Sequence, residues 1–68
     1  MNFIVETDQE ADGRWIAEVL ELPGVLAYAD TPEQARAKAQ ALALRVVAER
    51  LEHGEMAPEL VSVSFAAA

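Results

Sequence analysis

The stretch LPGVLAYADTPEQ, residues 22–34, contains a turn, a short strand and the start of a helix in direct succession. Proline suits position i+1 of a type II turn and glycine suits position i+2, where φ is positive. Pro23 and Gly24 therefore predict a tight turn, and the strand-forming residues from Val25 to Ala29 follow it. This stretch ends one strand, adds another and then leaves the sheet.

A long helix is predicted to follow. Thr31 can cap it, and Pro32 fits its first position, where no amide proton is needed. The helix should run to about His53, because Gly54 just beyond is a typical left-handed terminator and Pro58 prevents any continuation.

Further strands are predicted before the turn at Pro23 and Gly24 and after the helix. Phe3–Thr7 and Arg14–Leu20 are rich in β-branched and aromatic residues, and the polar loop Gln9–Gly13 between them indicates a hairpin. After the helix, Glu59–Phe65 alternates between an apolar face and a serine face, and Ala66–Ala68 is predicted to fray. The apolar face holds Val61, Val63 and Phe65. The chain is thus predicted to be one α+β domain over residues 1–68, of order β-β-β-α-β, with an antiparallel sheet and the helix packed on one face.

The small size of the chain predicts self-association. At 68 residues, folding buries only roughly 60% of the unfolded surface, and without cysteine no disulfide compensates. On a helical wheel one stripe faces the sheet: Ala35, Ala39, Leu42 and Val46, widened by Ala43 and Val47. Leu44 and Leu51 fall on the opposite side, among alanines that are explained equally well as good helix formers. A homo-oligomer, a dimer or a multiple of dimers, is predicted through Leu44 and Leu51.

The residues offer no catalytic or metal-binding set. His53 is the only histidine and there is no cysteine, so neither a Cys–His pair nor a histidine-rich metal cluster can form within one chain. Ser62 and Ser64 alternate with core residues on a strand, and His53 is placed to interact with the helix dipole. We expect no enzyme activity, no cofactor and no metal.

The acidity of the chain is concentrated near its N-terminus. The net charge is −7, and residues 1–30 hold seven carboxylates but only one basic residue, Arg14. Such a surface repels a phosphate backbone and attracts a basic protein. No apolar run approaches the ~20 residues that cross a bilayer. We expect no nucleic-acid or membrane binding, and a cytoplasmic location.

One face of the predicted sheet has no cover. By alternation Trp15 belongs to the face under the helix, and the opposite face should carry the candidate partner-binding residues Ile4, Glu6, Ile16, Glu18 and Tyr28, with Leu20 and Leu26 beside them. An apolar centre with a charged edge is typical of a protein-binding surface.

The order of these motifs resembles the HicB-type antitoxin domain. The similarity lies in Glu21-Leu22-Pro23-Gly24, in Asp30-Thr31-Pro32-Glu33-Gln34-Ala35, in Ala39, and in Gly54 followed by Pro58. It extends over nearly the whole chain. Ala29 stands where the family commonly has glycine.

The resemblance implies a partial double-stranded-RNA-binding-domain fold in a cytoplasmic antitoxin that masks a small, basic, RNA-cleaving toxin of HicA type. The DNA-binding segment of many members is not expected here, because the chain ends after the fourth strand. Two other functions stay open: an orphan oligomeric interaction domain of the same fold, and a weak enzyme or nucleic-acid binder, which would need a polar pocket or a basic patch. An adjacent reading frame for a short basic protein would favour the antitoxin.

Overall fold

The computed structural model describes residues 1–60 and 62–68 and confirms the α+β class and the order β-β-β-α-β. The elements are β1 (Asn2–Gln9), β2 (Trp15–Val19), β3 (Leu26–Ala29), α1 (Pro32–Glu52), a 3₁₀ turn (Pro58–Leu60) and β4 (Ser64–Ala67). The strands form one sheet in the order β3-β2-β1-β4, and α1 packs on one side of it.

The sheet is mixed, so the prediction of a wholly antiparallel sheet is wrong. β1 pairs with β2 and β2 with β3 in antiparallel fashion, but β4 runs parallel to β1. The reason is the long helix. α1 returns the chain to the end of the sheet where β3 began, so β4 must run in the direction of β3, which is also the direction of β1.

The fourth strand also begins later than predicted. Pro58–Leu60 forms a 3₁₀ turn, and β4 starts at Ser64, opposite Asn2 at the start of β1. Ala66 and Ala67 pair with β1 and are not frayed. The predicted alternation holds for Val63 and Phe65, which are partly buried against the core, whereas Ser62 and Ser64 are exposed. Val61 lies outside the described residues.

The predicted turn before β3 is confirmed. The amide of Val25 donates to the carbonyl of Leu22 at 3.0 Å, and Gly24 has φ of 87°. A side chain is strained at that angle, because Cβ would crowd the backbone. Leu22 itself is buried, so the turn is fixed to the core on one side.

Both predicted helix ends are also confirmed. The hydroxyl of Thr31 accepts a hydrogen bond from the amide of Gln34 at 3.1 Å, which satisfies one of the free amides of the first turn. At the other end Gly54 has φ of 71°, and the amide of Glu55 donates to the carbonyl of Arg50 at 2.8 Å. This is a Schellman arrangement, which ends the helix by satisfying its last carbonyls.

The buried face of α1 is a row of small residues four apart: Ala35, Ala39, Ala43 and Val47. They pack against the buried side chains of the sheet: Phe3, Val5, Ala17, Val19 and Ala29. Trp15, as predicted, lies partly buried against this core. Alanine side chains let the helix axis lie close to the sheet.

The predicted position of Leu51 on the outward side of the helix is wrong. Leu51 continues the row of buried residues four apart and is partly buried against the core. Such a row is inclined by about 26° to the helix axis, so the face that touches the sheet rotates along the helix. A stripe drawn at a fixed angle on a helical wheel does not describe this rotation. For the same reason the wheel placed Leu42 and Val46, which are partly buried, at the centre of the sheet-facing side and Val47, which is buried, at its margin.

Enlarging an alanine of the buried row should destabilise the fold. Ala39 is fully buried between α1 and the sheet, so we expect Ala39→Leu to lower the free energy of unfolding by about 1–3 kcal/mol through overpacking. Ala37→Leu is the matched control, because Ala37 is exposed on the same helix and the change should stay within about 0.5 kcal/mol. Urea denaturation followed by circular dichroism measures both, and equal midpoints would contradict the close contact.

Candidate protein-binding surface

The side of the sheet away from α1, here called the outer face, brings together all five predicted partner-binding residues. Strand alternation puts Ile4 and Glu6 of β1 on it, and the register places Ile16 opposite Tyr28. Glu18 is opposite Glu6 on one side and Leu26 on the other. Ile4 and Ile16 are partly buried, and both glutamates and Tyr28 are exposed.

Large apolar side chains are exposed mainly on this face. Among the side chains of residues 1–59 and 62–68, four large hydrophobic ones are exposed, and three of them belong here: Leu20 at 50%, Leu26 at 36% and Tyr28 at 39%. Leu20 lies just beyond β2, where its amide donates to the carbonyl of Ile4. The outer face therefore combines exposed apolar area with the charge of Glu6 and Glu18.

Two glutamates occupy directly paired positions near the middle of the outer face. Glu6 and Glu18 are directly paired across β1 and β2, where side chains lie about 4.5–5.5 Å apart at Cβ. Like charges in this position destabilise a sheet. Neither glutamate takes part in a salt bridge within the described part of the chain, where the one ion pair joins Arg14 and Asp12. The repulsion is therefore not offset by a neighbouring cation.

Arg14 lies at one corner of the outer face. Its guanidinium carbon is 4.8 Å from the centre of the Tyr28 ring, and its Nε donates to Asp12 at 2.9 Å. The Arg14 backbone amide and the guanidinium both donate to Asp12, and together they lower the pKa of that carboxyl group below its usual value. Sequence reasoning missed the Arg14–Tyr28 contact, which shows that the exposed ring accepts a guanidinium on its face.

The late start of β4 adds residues to the outer face that the sequence did not predict. Ala66 lies beside Ile4, and the Ser64 hydroxyl contacts the Asn2 side-chain oxygen at 2.5 Å. At the rim, the Glu21 carboxylate accepts a hydrogen bond from the amide of Ile4 at 2.8 Å. The Glu21 side chain thus supplies a hydrogen-bond acceptor for a β1 amide at a position where β2 has already ended.

The remaining predicted site residues lie on or beside α1. Leu44 is 48% exposed and Leu51 is partly buried against the core, and a role of either in an oligomer interface stays a prediction. His53 Nδ1 is 2.8 Å from the carbonyl oxygen of Glu49, in the capping position that the sequence predicted. The described residues contain no group of three histidines, cysteines or carboxylates arranged to hold a metal ion. Nor do they include a helix of the length and hydropathy that would span a bilayer.

Removing one of the two facing carboxylates should stabilise the protein. We expect Glu18→Gln to raise the free energy of unfolding by about 0.5 kcal/mol at low salt, because it ends the repulsion from Glu6. The gain should shrink at high ionic strength, where charges are screened. Adding Glu6→Gln should bring little more. Glu10→Gln, in the exposed hairpin loop, is the control. A salt-independent effect, or one equal in Glu10→Gln, would contradict the pairing.

The predicted self-association can now be tested at one residue. We expect light scattering to show a dimer or a multiple of dimers, and Leu44→Glu to lower the mass to that of a monomer, because a carboxylate would be buried in the interface. Gln34→Glu controls for added charge, because Gln34 is exposed in the first turn of α1, far from Leu44. A wild-type monomer that persists at high concentration would contradict the prediction.

A comparison of the chain with protein-family models, with curated proteins and with solved structures found no match. The similarity to HicB-type antitoxins therefore rests on the Leu-Pro-Gly turn, the helix start and the terminating glycine of this sequence alone.

Proposed function

We propose that the chain is a non-catalytic protein-binding module that holds a basic partner protein on its outer face. On the resemblance to HicB-type antitoxins, the partner is a small, basic, RNA-cleaving toxin of HicA type, which the chain neutralises in the cytoplasm. This partner would be bound without a cofactor, a metal or nucleic acid.

The opposition of Glu6 and Glu18 is the observation that carries this proposal. Glutamates at directly paired positions of neighbouring strands repel each other in the free protein. A lysine or arginine of a partner that inserts between them would replace this repulsion by two attractions. Ile4 and Ile16 lie on the same face and would exclude water around such an ion pair, which strengthens it.

The Tyr28 ring offers the partner a second anchor. It is 39% exposed, and Arg14 already lies over it at 4.8 Å. Tyr28 lies on the edge strand β3, and an aromatic side chain with apolar neighbours such as Leu26 is a common component of a binding hot spot. A partner arginine that displaced Arg14 would make the same contact with the Tyr28 ring.

Charge also argues against a second copy of this chain on the outer face. Two copies packed face to face would bring four carboxylates together, two from each Glu6–Glu18 pair. The alternative function, an orphan oligomeric domain of the same fold without a toxin partner, is favoured instead by Leu44, which is exposed on the far side of the molecule.

The two kinds of contact should separate kinetically. Charges attract a partner over a distance and so mainly speed encounter, whereas large anchoring side chains mainly slow dissociation. We therefore expect Glu6→Gln and Glu18→Gln to slow association and to reduce its salt dependence. Tyr28→Ala and Ile16→Ala should chiefly accelerate dissociation, with a loss on the order of 1–3 kcal/mol. Surface plasmon resonance against a basic protein encoded beside this gene measures both rates.

A control matches the charge changes. Glu49→Gln removes the same charge from the helix, away from the outer face. It should bind like the wild type. If all four outer-face variants also bind like the wild type, the outer face is not the docking site. If no adjacent gene encodes a basic protein, the orphan domain is the better explanation.

A further inference from the structure

A groove lies beside β3, on the side of the sheet that α1 covers. It has a volume of about 280 Å³ and is lined by Ala27, Lys38, Ala41, Leu42 and Arg45. The helix residues are spaced i, i+3, i+4 and i+7, so they form one strip along the flank of α1. The strip is apolar in its middle and basic at both ends.

The edge of β3 that borders the groove has no strand beside it in the described sheet, because β3 is first in the order β3-β2-β1-β4. The amide of Val19 donates to the carbonyl of Val25 at 3.0 Å, which sets the alternation of the ladder. Ala27 therefore bonds inward to β2, and the backbone groups of Leu26 and Tyr28 point outward. Lys38 Nζ, 3.5 Å from the Tyr28 carbonyl oxygen, agrees with this direction.

The two basic side chains of the groove have no carboxylate partner within the described residues. The salt bridge of that part of the chain joins Arg14 and Asp12, on the other side of the sheet. Lys38 and Arg45 are both exposed. In a protein of net charge −7, they place two positive charges next to an open strand edge.

We propose that this groove binds an acidic segment of a partner in extended conformation, which adds to the sheet as a fifth strand beside β3. The outward backbone groups of Leu26 and Tyr28 would supply the ladder hydrogen bonds. Side chains of a strand alternate in direction, so glutamates at every second position would all face α1. Their stems would lie on Ala27 and Leu42, and their carboxylates would reach Lys38 and Arg45.

Charge favours this occupant over a second copy of the chain. If two copies paired through their β3 edges about a twofold axis, the two helices would run antiparallel on the same side of the joined sheet. Lys38 of one copy would then approach Arg45 of the other, and four positive charges would meet in one groove. This site is separate from the outer face and does not depend on the function proposed for that face.

Fluorescence anisotropy with a synthetic peptide tests the proposal. The probe is an eight-residue peptide that alternates glutamate and valine, and its partner has lysine in place of each glutamate. We expect saturable binding of the glutamate peptide only. Lys38→Gln and Arg45→Gln should each weaken it about fivefold, since each removes one charge-assisted contact at a partly exposed site. Arg50→Gln, the same change outside the groove, should leave it unchanged.

A second probe tests strand addition itself. Methylating alternate backbone amides of the glutamate peptide removes its donors on one edge and keeps every charge. We expect at least one of the two alternate methylation patterns to weaken binding about tenfold, the size of one to two lost hydrogen bonds. Full affinity with both patterns would overturn the proposal, as would an equal loss in Arg45→Gln and Arg50→Gln.

Two further measurements address other occupants of the groove. If the double variant Lys38→Gln, Arg45→Gln self-associates more strongly than the wild type in light scattering, the groove belongs to a second copy. If single-stranded oligothymidylate displaces the glutamate peptide at a lower concentration than unlabelled glutamate peptide does, it is a phosphate site. Either outcome overturns the proposal. Unchanged mass and poor competition support it, and a basic partner on the outer face should bind Arg45→Gln like the wild type.

Discussion

The close packing of α1 on the sheet is the contact on which the other features of this protein depend. Ala35, Ala39 and Ala43 are fully buried against the sheet, and Val5 and Val19 meet them from the other side. Within residues 1–60 and 62–68 a single helix covers a single face, so that part of the chain leaves the second face of the sheet open. The inclination of the buried row then decides which flank of α1 lies beside β3, and so which basic residues border that edge.

Those parts of the fold that depend on neighbouring residues could be predicted from the sequence. The turn at Pro23 and Gly24, the cap at Thr31 and the end of the helix at Gly54 all follow from local backbone geometry. The start of β4 could not be predicted in this way, because alternation in the sequence does not show where a strand meets its partner. The orientation of Leu51 was missed for a related reason, since it depends on the angle at which the helix crosses the sheet.

The candidate sites, too, could be predicted from the sequence only in part. Alternation alone assigned Ile4, Glu6, Ile16, Glu18 and Tyr28 to one face, and the structure places them there. The direct opposition of Glu6 and Glu18 needs the register of two strands, which no single strand pattern contains. The groove beside β3 combines a strand edge with the flank of a helix more than ten residues away in sequence, and it could be found only from the packed structure.

The pairing of β1 with β4 has a consequence for synthesis of the chain. β1 lies inside the sheet, but one of its two partners is the strand nearest the end of the sequence, and Asn2 pairs with Ser64. A ribosome that adds about 5–20 residues per second needs several seconds to make the intervening chain. During that interval the hairpin of β1 and β2 can form, but the far edge of β1, with Phe3 and Val5, has no partner. Until β4 is made, this open edge can pair with another nascent chain.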